Sequence, residues 1–191
     1  MELAFAQRGW ARTRWKTAGV GFHRAGVRYR RWVPSKLVAI YLNDHYAAAT
    51  AGFEVGRRAS RENEGSELGT FLRGLLSEIV EDRRTLLQLM TRVGVSRSAP
   101  KTVAAWAAEK VGRLKLNGQL TGYSPLSRLL ELEALAAGIE GKRSLWLALA
   151  RVGDADRRLD AFDLEALAER ARSQRERLEP YRLAAAAEAL R

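Results

Sequence analysis

From Pro34 to the end of the chain, apolar residues recur every three or four positions, the spacing of one buried helix face. Polar clusters break that rhythm at a few places. The first long helix is expected over 35–62, with Pro34 in its first turn and Val38, Tyr41, Leu42, His45, Ala48, Ala49, Gly52, Val55 and Ala59 on one stripe. The stretch Glu62-Asn63-Glu64-Gly65 ends it. A second helix follows over 66–93, with Ser66 as N-cap, Leu72, Leu75, Ile79, Leu86 and Leu89 inward, and Gly94 as the stop. So short a connection makes the two helices antiparallel neighbours.

Residues 95–124 follow a different pattern. They read as a shorter amphipathic helix over about 100–117, opened by Pro100 and closed by Asn117-Gly118, and then a loop. Ser124-Pro125 starts a third long helix that runs to Val152 before Gly153. A fourth runs from Asp160 or Asp163 towards Leu190, with a kink or break expected near Pro180. A crossover with its own helix can climb the roughly 40 Å of a long helix, which sets the third helix parallel to the second. The expected fold is all-α: a four-helix bundle of two hairpins joined by one long, helix-containing crossover between the second and third long helices.

Residues 1–33 lack any sustained helical period and mix Gly9, Gly19, Gly21 and Gly26 with Trp10, Trp15, Trp32 and many arginines. They read as a basic, disordered arm, and residues 34–191 as the bundle. Charge sharpens this division. Of the net +11, residues 1–36 hold +8, with nine Lys or Arg against Glu2 alone. Any contact with nucleic-acid phosphates or an anionic membrane is therefore expected through residues 1–33, where Arg supplies charge and Trp a stacking or interfacial face.

No apolar run reaches the roughly 18 residues of a membrane helix, and no apolar stretch of about 7 to 15 residues marks a secretory signal. The chain has no cysteine, which removes thiolate metal sites, iron–sulfur clusters and Cys nucleophiles and fits a cytoplasmic protein. Glycine-rich phosphate loops and a Gly-x-Ser-x-Gly elbow are also missing.

Three stretches carry a resemblance: Tyr41-Leu42-Asn43-Asp44-His45-Tyr46-Ala47-Ala48, Glu81-Asp82-Arg83, and Leu130-Glu131-Leu132-Glu133-Ala134-Leu135. Over about residues 35–190 the chain resembles small bacterial ferritin-like proteins of unassigned function. The resemblance implies the bundle scaffold. Catalytic members of the wider group draw a Glu from each of two helices and a Glu-x-x-His pair from each of the other two. Here the second and fourth helices contain no histidine.

Polar residues inside the apolar stripes are the candidate site: His45 on the first helix, Glu78 and Asp82 on the second, Glu133 and Glu140 on the third, and Gln174 on the fourth. Aligning the helices by their termini brings His45, Asp82, Glu140 and Gln174 to one level, with Glu78 and Glu133 about one and two turns away. Carboxylates in an apolar interior must be protonated, paired or bound to a cation. Pairing is expected through Arg175 and His45, giving a buried polar layer in a non-enzymatic structural or interaction module, with a homodimer as one form of it. The alternatives are an iron- or manganese-binding carboxylate protein using the same residues, and a protein acting through its basic arm. Trp106 and Trp146 are expected as apolar anchors, and Gly52 and Gly138 as points of close helix approach.

Overall fold

The computed structural model describes residues 35–98, 123–153 and 156–191. The arm 1–33, Pro34, the crossover helix expected over 100–117 and Trp106 lie outside them. Four α-helices are found among the described residues: α1 (Lys36–Glu62), α2 (Glu67–Arg92), α3 (Pro125–Gly153) and α4 (Leu164–Ala189), with a short 3-10 turn, Leu159–Ala161, before α4. The described part is all-α, and no helix in it is long and apolar enough to cross a membrane.

Helix ends follow local chemistry. Ser35, Ser66, Ser124 and Asp163 each accept a backbone N–H three residues on, at 3.2, 3.1, 3.1 and 2.9 Å, so one otherwise unpaired donor is satisfied at each start. Gly65 and Gly94 adopt φ of +80° and +77°, a region costly for a residue with a Cβ, and each turns the chain out of a helix. The break expected at Pro180 does not occur: α4 continues through it. Pro180 and Glu176, whose carbonyl loses its helical partner there, are both exposed, so water can replace the lost bond.

Two apolar clusters form the core. The first joins Val55 and Ala59 to Leu72, Leu75, Leu132, Leu135, Ala171 and Leu178, among others. The second gathers Leu42, Leu86, Leu89, Trp146, Leu149 and Leu164. Truncating one such leucine to alanine costs about 2 to 5 kcal/mol. The order in which each helix meets the clusters fixes its direction. Helices α2 and α3 both run from the first cluster to the second, while α1 and α4 run from the second to the first.

Helix α1 also fastens both ends of the link between α2 and α3. Asn43 Nδ2 donates to the Ser96 carbonyl at 3.2 Å and its Oδ1 accepts from Ser98 N at 2.8 Å. About 30 Å further along the helix, Asn63 Nδ2 donates to the Tyr123 hydroxyl at 3.2 Å.

Candidate functional site

Between the two clusters the stripes turn polar. On α2 the series Leu72, Leu75, Ile79, Asp82, Leu86 puts Asp82 where an apolar residue is expected, and on α4 Gln174 sits between Ala171 and Leu178 in the same way. Asp82 is 2% exposed and Gln174 is fully enclosed. On α3 the series Leu135, Ile139, Lys142, Trp146 brings a lysine to the same level. One face of the bundle thus carries a charged layer held by α2, α3 and α4.

Its groups pair with one another, except for Arg170 Nε, which is buried with no hydrogen-bond partner among the described residues. Asp82 Oδ1 accepts from the Arg170 guanidinium, and Oδ2 accepts from Lys142 Nζ. The Gln174 carbonyl accepts a second Lys142 proton, while its amide donates to Asp82 Oδ2 at 3.1 Å and Glu78 Oε2 at 3.0 Å. Glu78 is clamped by Arg177 at 2.7 and 2.9 Å, and Arg170 also reaches Glu81 at 3.4 Å. Burial pushes the Lys142 ammonium below its usual pKa against the pull of Asp82. For Glu78 burial acts upward, but the bonds from Arg177 and Gln174 outweigh it and hold the carboxyl below the ordinary glutamate range.

A second buried carboxylate lies towards the other end. Glu131, 1% exposed, accepts from the Tyr123 hydroxyl at 2.9 Å and lies 3.2 Å from Arg58 Nε. Burial raises its pKa, and Tyr123 and Arg58 offset that only partly. Tyr123 is itself raised, by burial and by the charge of Glu131. Arg58 Nη1, also buried, has no hydrogen-bond partner among the described residues.

The structure joins Glu78, Asp82 and Gln174 directly and leaves the other three expected residues apart from them. Glu140 is exposed and pairs with Arg143 at 3.1 Å, and Glu133 lies 3.5 Å from Arg182. His45 makes an edge contact with Tyr41, ring centroids 4.5 Å apart, and its pKa is lowered by burial. Arg175, the expected pairing residue, binds Glu179 at 2.5 Å instead. The cations that do the pairing are Lys142, Arg170 and Arg177. Among the described residues, no three His, Cys, Asp or Glu side chains cluster closely enough to hold a metal ion.

On the α1 side of the layer lies a cleft of about 500 Å³ between α1, α2 and α3. Its walls are largely alanine, glycine and aliphatic side chains, with His45, Asp82, Arg83, Lys142 and Trp146 among them. The expected close approach at Gly52 and Gly138 is not found. A Cβ built at either would meet nothing within 4 Å, whereas at Gly56 it would come within 2.9 Å of Leu76 Cδ2. Comparison with protein-family models, curated proteins and solved structures finds no match to this chain.

Proposed function

We propose that this chain is a non-enzymatic bundle with a ferritin-like path, a structural or interaction module in which ion pairs occupy the level where a di-iron relative would hold metal. One observation carries the reading: the Lys142 ammonium is bound by both Asp82 and Gln174 at the centre of the layer. A divalent cation entering there must expel Lys142 and compete with Arg170 for Asp82 and with Arg177 for Glu78. Repulsion among cations in a poorly solvated interior opposes that exchange. The path reading is supported by the shared direction of α2 and α3 across the two clusters.

Elemental analysis of protein purified without a polyhistidine tag tests the proposal. Fewer than about one transition-metal ion per two chains is expected, since the donors are already engaged. Near-stoichiometric iron or manganese, lost in Asp82→Ala or Glu78→Ala, would replace this reading with that of a metal-carboxylate protein.

A further inference from the structure

The cleft beside the charged layer is kept open at a cost. Glycine in a helix interior is about 0.5 to 1 kcal/mol less favourable than alanine. Gly52, Gly138 and Gly141 all stand on the cleft wall, and at each of them a Cβ would meet nothing within 4 Å. Tight packing explains Gly56 and Gly69, where a Cβ would collide, but it explains none of these three. Their effect is to widen a space that alanine or leucine would narrow.

The walls of that space are mixed. Gly52, Val55, Ile79, Ala134, Leu135 and Gly138 line it with no polar side chain, while His45, Asp82, Arg83, Lys142 and Trp146 contribute polar groups to the same walls. The polar groups differ in how far they are engaged. Both Asp82 oxygens are taken by Arg170, Lys142 and Gln174. Arg83 has no carboxylate partner among the described residues; its guanidinium lies over the Phe53 ring, 5.1 Å from the centroid. Trp146 is 1% exposed, and its Nε1–H, closed off from solvent and from the cleft alike, has no acceptor among the described residues. The cation on the wall without a carboxylate partner among the described residues is thus Arg83, and the carboxylate on the wall, Asp82, is saturated.

We infer that the cleft binds a small amphiphilic monoanion, a hydrocarbon-bodied carboxylate whose body lies along the glycine- and alanine-lined walls and whose head meets Arg83. A cleft of about 500 Å³ with apolar walls and a few polar groups is of the size and character of small-ligand sites. An apolar body removes that surface from water, and an anionic head supplies the counter-charge that Arg83 lacks among the described residues. The inference goes beyond the module proposed above and does not depend on the metal content of the layer.

Titration calorimetry of the full chain with decanoate, decanol and decylammonium tests it. Decanoate is expected to bind one per chain with a negative heat-capacity change, and decylammonium not to bind. Arg83→Gln should weaken decanoate by about tenfold or more, the loss of one charge-assisted contact, and leave decanol unchanged. Gly138→Leu should abolish binding of both while the melting temperature stays near that of the parent. Gly52→Ile, on the opposite wall, provides the same block if Gly138→Leu fails to fold. Equal binding of decanoate and decylammonium, no binding of either, or decanoate binding that Arg83→Gln and both cleft-filling variants leave intact would overturn the inference. The last result would assign the anion to other cations of this basic chain. Sedimentation showing that the cleft-filling variants change the association of the chain, with no decanoate bound by the parent, would likewise overturn it and make the cleft a contact between copies.

Discussion

Asp82 and Glu131 are both carboxylates withdrawn almost completely from water, yet the bundle treats them in opposite ways. Asp82 meets two cations and an amide, supplied by α3 and α4, and every acceptor position in use faces a donor. Glu131 has one guanidinium edge and one phenol, and its pKa is raised by burial. A buried charge is favoured where donors match it, as at Asp82, and disfavoured where they offset burial only partly, as at Glu131. The matched site adds little net stability over an apolar layer, but breaking it is expensive because the partners are left behind.

The largest expected effect follows from that asymmetry. Asp82→Asn should cost about 3 kcal/mol in urea unfolding near neutral pH, because Lys142 and Arg170 lose their counter-charge inside the bundle. Glu131→Gln, which removes a charge that burial disfavours and still accepts from Tyr123, should cost less than about 1 kcal/mol. Equal losses at the two positions would erase the distinction drawn here.

Acid titration sharpens it. The folded pKa of Glu131 is raised, so its charge opposes folding: its contribution is most favourable below the ordinary value of 4.5 and is lost as pH rises through the raised value. The folded pKa of Glu78 is lowered, so its contribution is present above 4.5 and is lost as pH falls through the lowered value. Subtracting the stability of Glu131→Gln and of Glu78→Gln from that of the parent, at each pH, should therefore give curves of opposite slope. Parallel curves would mean that the two glutamates share one environment.

The smallest effect contrasts packing around the two sites. Gly138→Ala, beside the Asp82 layer, should raise stability by about 0.5 to 1 kcal/mol, since its Cβ enters open space and the helix gains. Gly56→Ala should instead lower the melting temperature, because its Cβ would press on Leu76 and Leu135.

Much of this arrangement is readable in the sequence where capping chemistry and stripe spacing agree. The four helices begin and end within a few residues of their expected positions because Ser66, Gly94, Ser124 and Asp163 act through local hydrogen bonds and backbone preference. Asp82 and Gln174 are readable because each interrupts an otherwise apolar series. The phase of α3 is not, since leucine and alanine occupy nearly every face of it. Choosing the face of Leu126, Leu129 and Leu147 selects Glu133 and Glu140, but Leu147 is 43% exposed and the buried series places Glu131 and Lys142 inside. Arg170 carries no signal of its own. It reaches Asp82 with a long side chain from the edge of the stripe, a contact that depends on the spacing of helices far apart in sequence.

The fastening of Ser96, Ser98 and Tyr123 to Asn43 and Asn63 has a meaning for assembly. The surfaces that recognise each other across the bundle, Asp82 with Lys142 and Arg170, and Arg58 with Glu131, belong to different hairpins. The covalent tie between residues 98 and 123 holds one hairpin near the other, raising its local concentration to the order of millimolar. In those terms the bundle is a heterodimer written on one chain. A backbone cut between residues 98 and 123 would divide the Asn63–Tyr123 anchor and the salt bridges between two pieces, leave the Asn43 anchor whole on the first, and give a complex whose stability is set by protein concentration.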